Sequence, residues 1–429
     1  MISSPHYRRN FGAFLGDYVG FALGLTLASP TTVLPYLVAR LGGSEVAVGL
    51  MAGLANAAWL VPQLIYANIL TNKRYKKPYL VWGGIVGRPS YVFYAIALAL
   101  GLHREPVLAL LLLYAAQVVF FASDALVSVA WFDLVSKAIP DSRRGRLFGA
   151  GQLISGLLSI GAGGLIAVLL GEGGPAFPTN YVLILALSGL CFLLALVALG
   201  LVVEPDEPVE EERPVWREYL PRLLSTLRQD RAFLRLIIVR LLAGFDGLAL
   251  SFYVLFATRE LGLPAATIGL FVSAQIAGRI VAGVVLGAVA ERSGSHRVVQ
   301  VAAATAVTAP LVGLALLLSG ASGGTTTAAI FSWVFVTIGL TASASMLGHY
   351  NYTLVLAPAG QRPTYIGLLN TISSVLVVLP ILGGWLLRVT SYGVLFALTA
   401  LAISFGFVLS LSLPSARQQA APAQAEPAG

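Results

Sequence analysis

Apolar runs long enough to cross a bilayer recur from one end of this 429-residue chain to the other. A transmembrane helix needs about 20 consecutive, mostly apolar residues. Twelve runs answer to that description, near 11–38, 46–70, 78–102, 106–138, 145–170, 180–203, 233–258, 266–290, 297–319, 325–356, 364–387 and 391–413. Hydrocarbon offers the backbone no water, so every N–H and C=O needs a partner within the segment, and such runs must be helices. A membrane barrel would show short stretches of alternating polarity, and none is present. Charged residues make up only 11% of the chain, against roughly 25% in soluble domains. The expectation is an all-α membrane protein with 12 transmembrane helices, here called spans 1 to 12. The start MISSPHYRRN could open a signal peptide, but the apolar run after it is too long and no small-residue cleavage site follows, so it reads as retained.

A net charge of +8 raises the idea of a nucleic-acid partner, and the distribution of that charge argues against it. Of 27 Lys and Arg, 20 fall on the side of the N terminus when the spans are threaded back and forth. Only Arg40, Arg104, Arg259 and Arg388 fall on the other side, and Arg88, Arg240 and Arg279 lie within spans. Basic residues gather on the cytoplasmic face of membrane proteins. The positive balance is therefore a topology signal that places both termini in the cytoplasm and the chain in the cytoplasmic membrane. The lone cysteine, Cys191 in span 6, cannot form an internal disulfide and reads as a small apolar packing residue. No metal-ligand cluster and no cofactor are expected.

Residues 204–232, EPDEPVEEERPVWREYLPRLLSTLRQDRA, form the longest stretch outside the spans. Its acidic, proline-bearing first part should be extended and solvated. From Trp216, the residues Tyr219, Leu220, Leu223, Leu224 and Leu227 recur at helical spacing, which fits either an amphipathic helix on the membrane surface or a cytosolic linker helix. Six spans precede this tether and six follow it. The halves resemble each other: KAIPDSRRGRLFGAGQLIS (137–155) aligns with VLAPAGQRPTYIGLLNTIS (355–373) at an offset of 218, matching Arg144 with Arg362 and Gln152 with Asn370. Just upstream Asp133 faces Asn351. Two further pairs, NILTNKRYKK with GAVAERSGSHR and RLGGSEVAVGL with ELGLPAATIGL, align at 219 and 220. This is a parallel internal repeat, the architecture of many secondary transporters. It predicts an N-terminal bundle over 1–203, a tether over 204–232, a C-terminal bundle over 233–414 and a disordered tail over 415–429.

At these residues the chain resembles the major facilitator superfamily over nearly its whole length. That family carries a loop signature, roughly GxxxDRxGRR, after its second and eighth helices. The second copy here is good: Gly287, Glu291, Arg292, Gly294 and Arg297 in GAVAERSGSHR. The first is degenerate, with Asn68 for the glycine, Asn72 for the acid, Lys73 for the arginine and Tyr75 for the second glycine, while Lys76 and Lys77 keep the basic pair. The resemblance implies two pseudo-symmetric six-helix bundles, latched on the cytoplasmic side by this acid and its basic neighbours, and a neutral Asn72 puts the first latch in doubt. IPDSRRGRLFG resembles the family's loop between helices 4 and 5. There Arg143, Arg144 and Arg146 either set topology against lipid headgroups or, with Asp133 pairing to Lys73 or Arg144, form a gating salt bridge. Arg362 is the equivalent residue of the second half.

Ionisable groups inside spans cost about 2.5–3.5 kcal/mol each on insertion scales and usually have partners or functions. Five stand out: Asp17, Arg88, Asp124, Asp246 and Arg279. Three acids against two bases leave one acid over. The resemblance implies that helices 1, 4, 7 and 10 line the central cavity, so Asp17, Asp124 and Asp246 are expected to face it. Burial penalises the charged form of a carboxylate, so such an acid can carry a proton. Asp124 or Asp246 is the expected coupling acid, with Asp17 as a further candidate, Arg279 binding an anionic or polar part of the substrate and Arg88 a further substrate-binding candidate. The competing expectation is two structural ion pairs, Arg88–Asp124 and Asp246–Arg279. Gln275, Asn351, Asn370 and Gln152 are further substrate contacts, although many intramembrane amides simply bond neighbouring helices. His349 is expected to be a hydrogen-bonded structural residue. GAGG (161–164) and PILGG (380–384) are expected to be packing and hinge features.

Span 5 lacks the proline-containing GPxxGG signature of drug–proton antiporters, and the sugar-porter signatures are missing too. Few polar groups and many aromatics favour an amphipathic organic solute. No GxxxxGK[ST] loop and no HExxH occur, which disfavours an ATP-driven pump and a zinc hydrolase. The expected function is proton-coupled transport of a small solute by a monomer through alternating access. A lipid or lysolipid flippase on the same fold is the chief alternative.

Overall fold

The computed structural model describes residues 6–71, 73–206, 230–358 and 362–415. The expectations placed on Asn72, on most of the tether, and on nearly all of the C-terminal tail lie outside them, as do the side chains of Asn68 and Arg362. The described residues are helices and their connections, with no strand. Each of the twelve predicted runs is helical. Among the described residues, nine stretches are long and apolar enough to cross a membrane, and the three runs that fall outside this set are spans 1, 3 and 7.

Those three spans carry interruptions. Span 1 is α1 (Tyr7–Leu27) and α2 (Val33–Arg40), separated by SPTT, where Pro30 has no N–H and Ser29 accepts from the Thr31 backbone at 3.4 Å. Span 2 is α3 (Glu45–Thr71). Span 3 is α4 (Lys77–Gly87) and α5 (Ser90–Ala99), broken at Arg88 and Pro89. Pro89 cannot donate to the Ile85 carbonyl one turn earlier, which releases the helix there. Spans 4, 5 and 6 are α6 (Pro106–Ala138), α7 (Asp141–Leu170) and α8 (Thr179–Gly200). Span 7 is α9 (Arg231–Ala243), a 3₁₀ turn over Gly244–Leu248 and α10 (Tyr253–Arg259). Spans 8 and 9 are α11 (Thr267–Ser293) and α12 (Ser295–Leu318). Span 10 is α13 (Gly324–Ala344), a π-helical segment over Ser345–Tyr350 and α14 (Asn351–Leu356). Span 11 is α15 (Arg362–Ser373), a 3₁₀ turn over Ser374–Val378 and α16 (Leu379–Val389), and span 12 is α17 (Tyr392–Ser410).

The chain divides into two compact units, Met1–Glu212 with Leu263–Ser273, and Arg213–Gly262 with Ala274–Gly429. In the first unit α1 packs on α7 and α8, α6 on α3 and α4, and α5 on α8. Phe14, Trp131, Leu134, Leu147 and Leu199 share one apolar core, and Phe120, Phe192 and Tyr91 form an aromatic layer around Phe21. Fully buried Asn10 clamps α1 to the chain beyond α8, donating to the Val203 carbonyl at 2.8 Å and accepting from its N–H at 2.7 Å. The Leu263–Ser273 segment joins this unit rather than the bundle predicted for it, because glycine at 163 and 269 lets it lie against α7, where Ser273 Oγ donates to the Ile160 carbonyl at 3.1 Å.

In the second unit α12 packs on α13 and α17, and α9 on α17. Asp230 caps α9, accepting from the Phe233 N–H at 2.9 Å and from the Tyr365 hydroxyl at 2.9 Å. α11 and α13 cross where Gly278 meets the Val336 carbonyl and Gly339 meets that of Gln275, each with no room for a Cβ. Small residues let membrane helices approach closely when hydrophobicity cannot drive them together. Gly383 of PILGG is packed in the same way against the Leu248 carbonyl, whereas Gly161 and Gly164 of GAGG face open space.

Candidate functional site

On α1 the buried residues Asn10, Ala13, Phe14, Asp17 and Gly24 recur at helical spacing, so Asp17 lies on the inward face. The break at Pro89 sets Arg88 opposite it. Arg88 Nη2 stands 2.7 Å from Asp17 Oδ1, with the two side chains 4% and 6% exposed. The guanidinium also lies over the Phe21 ring, 5.5 Å from its centroid, an attraction worth more when desolvated. Trp131, edge-on to Phe14 at 5.6 Å, brings its indole beside Asp17. Arg88 Nε and Nη1 are buried without a hydrogen-bond partner.

Asp124, half-buried on α6, is the third member of this cluster. The charges of Arg88 and Asp17 act on it, and its neutral neighbour is the Trp59 indole of α3. The expected Arg88–Asp124 ion pair is thus corrected. Asp17 takes the arginine, because the break at Pro89 turns Arg88 toward α1, and Asp124 is the acid left over. One positive charge stands among two carboxylates, for a formal balance of −1.

The second expected pair, Asp246–Arg279, is not formed. Asp246 lies in the 3₁₀ turn of span 7, and the cation whose charge reaches it is Arg240, one helical stretch earlier. Arg279 is exposed on α11. Asp246 lines a small cleft inside the second unit with Leu250, Tyr253, Pro310, Thr337 and Thr341. His349 sits in the π-helical segment of span 10, buried, with both ring nitrogens lacking a hydrogen-bond partner, which corrects the expectation of a hydrogen-bonded histidine. Gln275 is half-buried on α11 and Gln152 exposed on α7. Asn351 donates to the Leu347 carbonyl of its own span at 3.3 Å, and Asn370 accepts from the Tyr350 hydroxyl at 2.6 Å.

The loop motifs resolve into a different network from the expected one. Asp133 pairs with Lys76 at 2.6 Å and Lys137 at 3.2 Å, neither of them the anticipated Lys73 or Arg144. Lys73 is exposed. Arg144 instead caps the end of α6, donating to the carbonyls of Ile139 at 3.0 Å and Ser136 at 2.5 Å. The residue that the sequence did not single out is Glu204. Its carboxylate, 4% exposed, accepts from the backbone N–H of Lys76 at 2.9 Å and of Lys77 at 2.8 Å, and lies 3.4 Å from Lys137 Nζ. That is an anion at the N-terminus of α4, where unpaired N–H groups and the helix dipole both favour it. Nearby, Arg74 Nε donates to Asp206 at 2.7 Å, and the hydrogen bonds and charge of Arg74 hold the Asp206 carboxyl below its usual range. In the second copy, Gly294 has φ +86 and joins α11 to α12, a conformation open to glycine and strained for other residues. Arg297 donates to Gln300 at 2.8 Å, while Glu291 and Arg292 are exposed and Gly287 meets nothing within 4 Å.

The run Gly320–Gly324 has the letters of a hydrolase nucleophile elbow, GxSxG, but it forms the loop between α12 and α13, with Gly320, Gly323 and Gly324 at positive φ. No strand precedes it among the described residues, so Ser322 is a turn residue.

The solved structures most informative for comparison are transporters. A bacterial homologue of the human lysosomal transporter Spinster, inward-facing and unoccupied, superposes with a TM-score of 0.63 at 15% identity, over 96% of this chain and 95% of that one. A bacterial homologue of the iron transporter ferroportin, also inward-facing, gives 0.68 at 14% identity over 95% and 98%. The nucleoside transporter NupG gives 0.70 at 11% identity over 95% and 100%. No curated protein sequence matches the chain. The sequence model of the Major Facilitator Superfamily matches residues 18–379. This chain therefore belongs to the major facilitator superfamily.

Proposed function

We propose that the protein is a secondary active transporter of a small organic solute, coupled to protons and working by alternating access. The observation that carries this reading is the Asp17–Arg88–Asp124 cluster, two carboxylates and one guanidinium in a membrane-spanning bundle. A formal −1 in a low-dielectric interior is costly. Taking up a proton relieves it and releasing the proton restores it, which is the change of state that proton coupling requires. The fold neighbours include a bacterial homologue of an iron transporter and a nucleoside transporter. Among the described residues no three His, Cys, Asp or Glu side chains gather as a metal site, which favours an organic cargo. The excess of Lys and Arg on the side of both termini supports a cytoplasmic-membrane location with those termini inside.

The test is solute flux into proteoliposomes under an imposed pH gradient. Wild-type protein is expected to accumulate its solute only with the gradient. Asp124→Asn, which fixes the neutral form, should abolish gradient-driven accumulation. Accumulation by Asp124→Asn equal to wild type would sink the coupling role.

A further inference from the structure

Of Asp17 and Asp124, the two acids of the cluster, Asp124 is the one without an ion-pair partner and the more exposed. Arg88 and Asp17 are 3% and 4% exposed, whereas Asp124 is half-buried. It stands on a seam between two helices. Along α3, Asn56, Trp59 and Gln63 follow one another at intervals of three and four residues, and along α6 so do Phe121, Asp124 and Ser128. The two stripes meet: Gln63 Nε2 donates to Ser128 Oγ at 3.4 Å, and the Trp59 indole supports Asp124. One turn before Asp124 on α6, Phe121 packs edge-on to Phe120 at 5.2 Å, and Phe120 stacks with Phe21, the ring that already carries Arg88.

A carboxylate beside an indole, on a seam that also carries a phenyl ring and neutral amides, makes a recognisable donor set. A divalent metal would need several hard ligands converging, and no such cluster exists among the described residues. An alkylammonium needs one negative charge and aromatic faces. We propose that the Asp124–Trp59 seam binds the ammonium head of a cationic, amphipathic solute, and that this head and a proton occupy Asp124 in turn. As the cation docks, the carboxyl O–H gives its proton to water, so one positive charge enters the site and one leaves. The groups facing this carboxylate are Asp17 from α1, Arg88 from the α4–α5 break and neutral Trp59 from α3. This inference rests on the transport reading and adds a substrate class and an exchange mode to it.

The experiment is isothermal titration of the purified full-length protein with benzyltrimethylammonium, in two buffers of different ionisation enthalpy, with benzyl alcohol and benzoate as uncharged and anionic counterparts. The expected result is binding of the ammonium alone, tightening as pH rises, with up to one proton released per cation. Asp124→Asn should weaken binding by at least about tenfold and abolish the proton release. Trp59→Leu should weaken binding by about threefold and keep the proton release. Binding to Asp124→Asn at wild-type strength, or equal binding of benzyl alcohol or benzoate, would overturn the proposal. If Asp124→Asn fails to fold, the proton count on wild type decides, and a count of zero overturns it. Proton-driven flux of an uncharged or anionic solute, with no ammonium binding, would sink this inference and leave the transport reading standing. Ammonium binding with proton release but no flux of that cation would do the reverse.

Discussion

Arg88 has one ion-pair partner at 2.7 Å, an aromatic ring beneath it and two buried nitrogens with no acceptor. Its charge is what makes Asp17 tolerable inside the bundle. Removing one member of a buried pair leaves an uncompensated charge and costs about 3–5 kcal/mol, whereas removing both can be nearly neutral. Arg88→Met is therefore expected to lower unfolding stability in detergent by about that amount, and the double variant Asp17→Asn with Arg88→Met to recover most of it. A double variant no more stable than Arg88→Met would mean that Arg88 contributes shape rather than charge. The contrast is Arg74 with Asp206, whose side chains are 60% and 54% exposed. Because the Asp206 carboxyl is held low, what this pair adds is present above the ordinary carboxylate range and fades as pH falls through the lowered value. Solvent and salt screen it, so it ties the start of the tether loosely.

Among the elements, three irregular stretches hold an ionisable side chain, whereas Asp17 and Asp124 lie on the regular helices α1 and α6. Arg88 marks the break between α4 and α5, Asp246 lies in a 3₁₀ turn and His349 in a π-helical segment, the kinds of irregularity that often coincide with functional positions. Spans 3 and 7 read as continuous runs in the sequence, although Pro89, which removes a donor inside an apolar run, and Gly244 and Gly247 stand at the first two breaks. Nothing in the letters announces the π-helical segment, because it arises from how span 10 is packed against α12. Pairings were equally illegible: Arg88 could reach an acid on α1 or on α6, and helix rotation decides between them. Glu204 was hidden for another reason. It opens a run of acids that reads as a solvated tether, yet it folds back onto the start of α4 and accepts from the backbone N–H of Lys76 and Lys77. Its backbone bonds are charge-assisted and buried, so Glu204→Ala should cost about 2 kcal/mol. Thermal unfolding measures this. A loss no larger than that of an exposed acid such as Glu291→Ala would show that these bonds contribute nothing.

At the scale of the whole molecule, the arrangement in the membrane is a property of composition more than of any contact. Nine of the twelve apolar runs are long and apolar enough among the described residues to be read from length and hydropathy alone, and the superfamily was legible because its repeat survives at offsets of 218–220. The proposed orientation rests on the uneven spread of Lys and Arg, a signal read during insertion. That proposal puts Arg104, in the 3₁₀ turn before α6, and Arg388, at the end of α16, on the side opposite Lys73 and Arg292. This can be tested with a membrane-impermeant maleimide, starting from a Cys191→Ser background that removes the one native thiol. In intact cells Arg104→Cys and Arg388→Cys should be labelled, whereas Lys73→Cys and Arg292→Cys should react only after the membrane is opened. The reverse pattern would invert the topology and put both termini outside, and with them the basic loops. The direction of any coupled flux would then have to be reassigned, since a proton arriving at Asp124 from the opposite side drives the solute the other way.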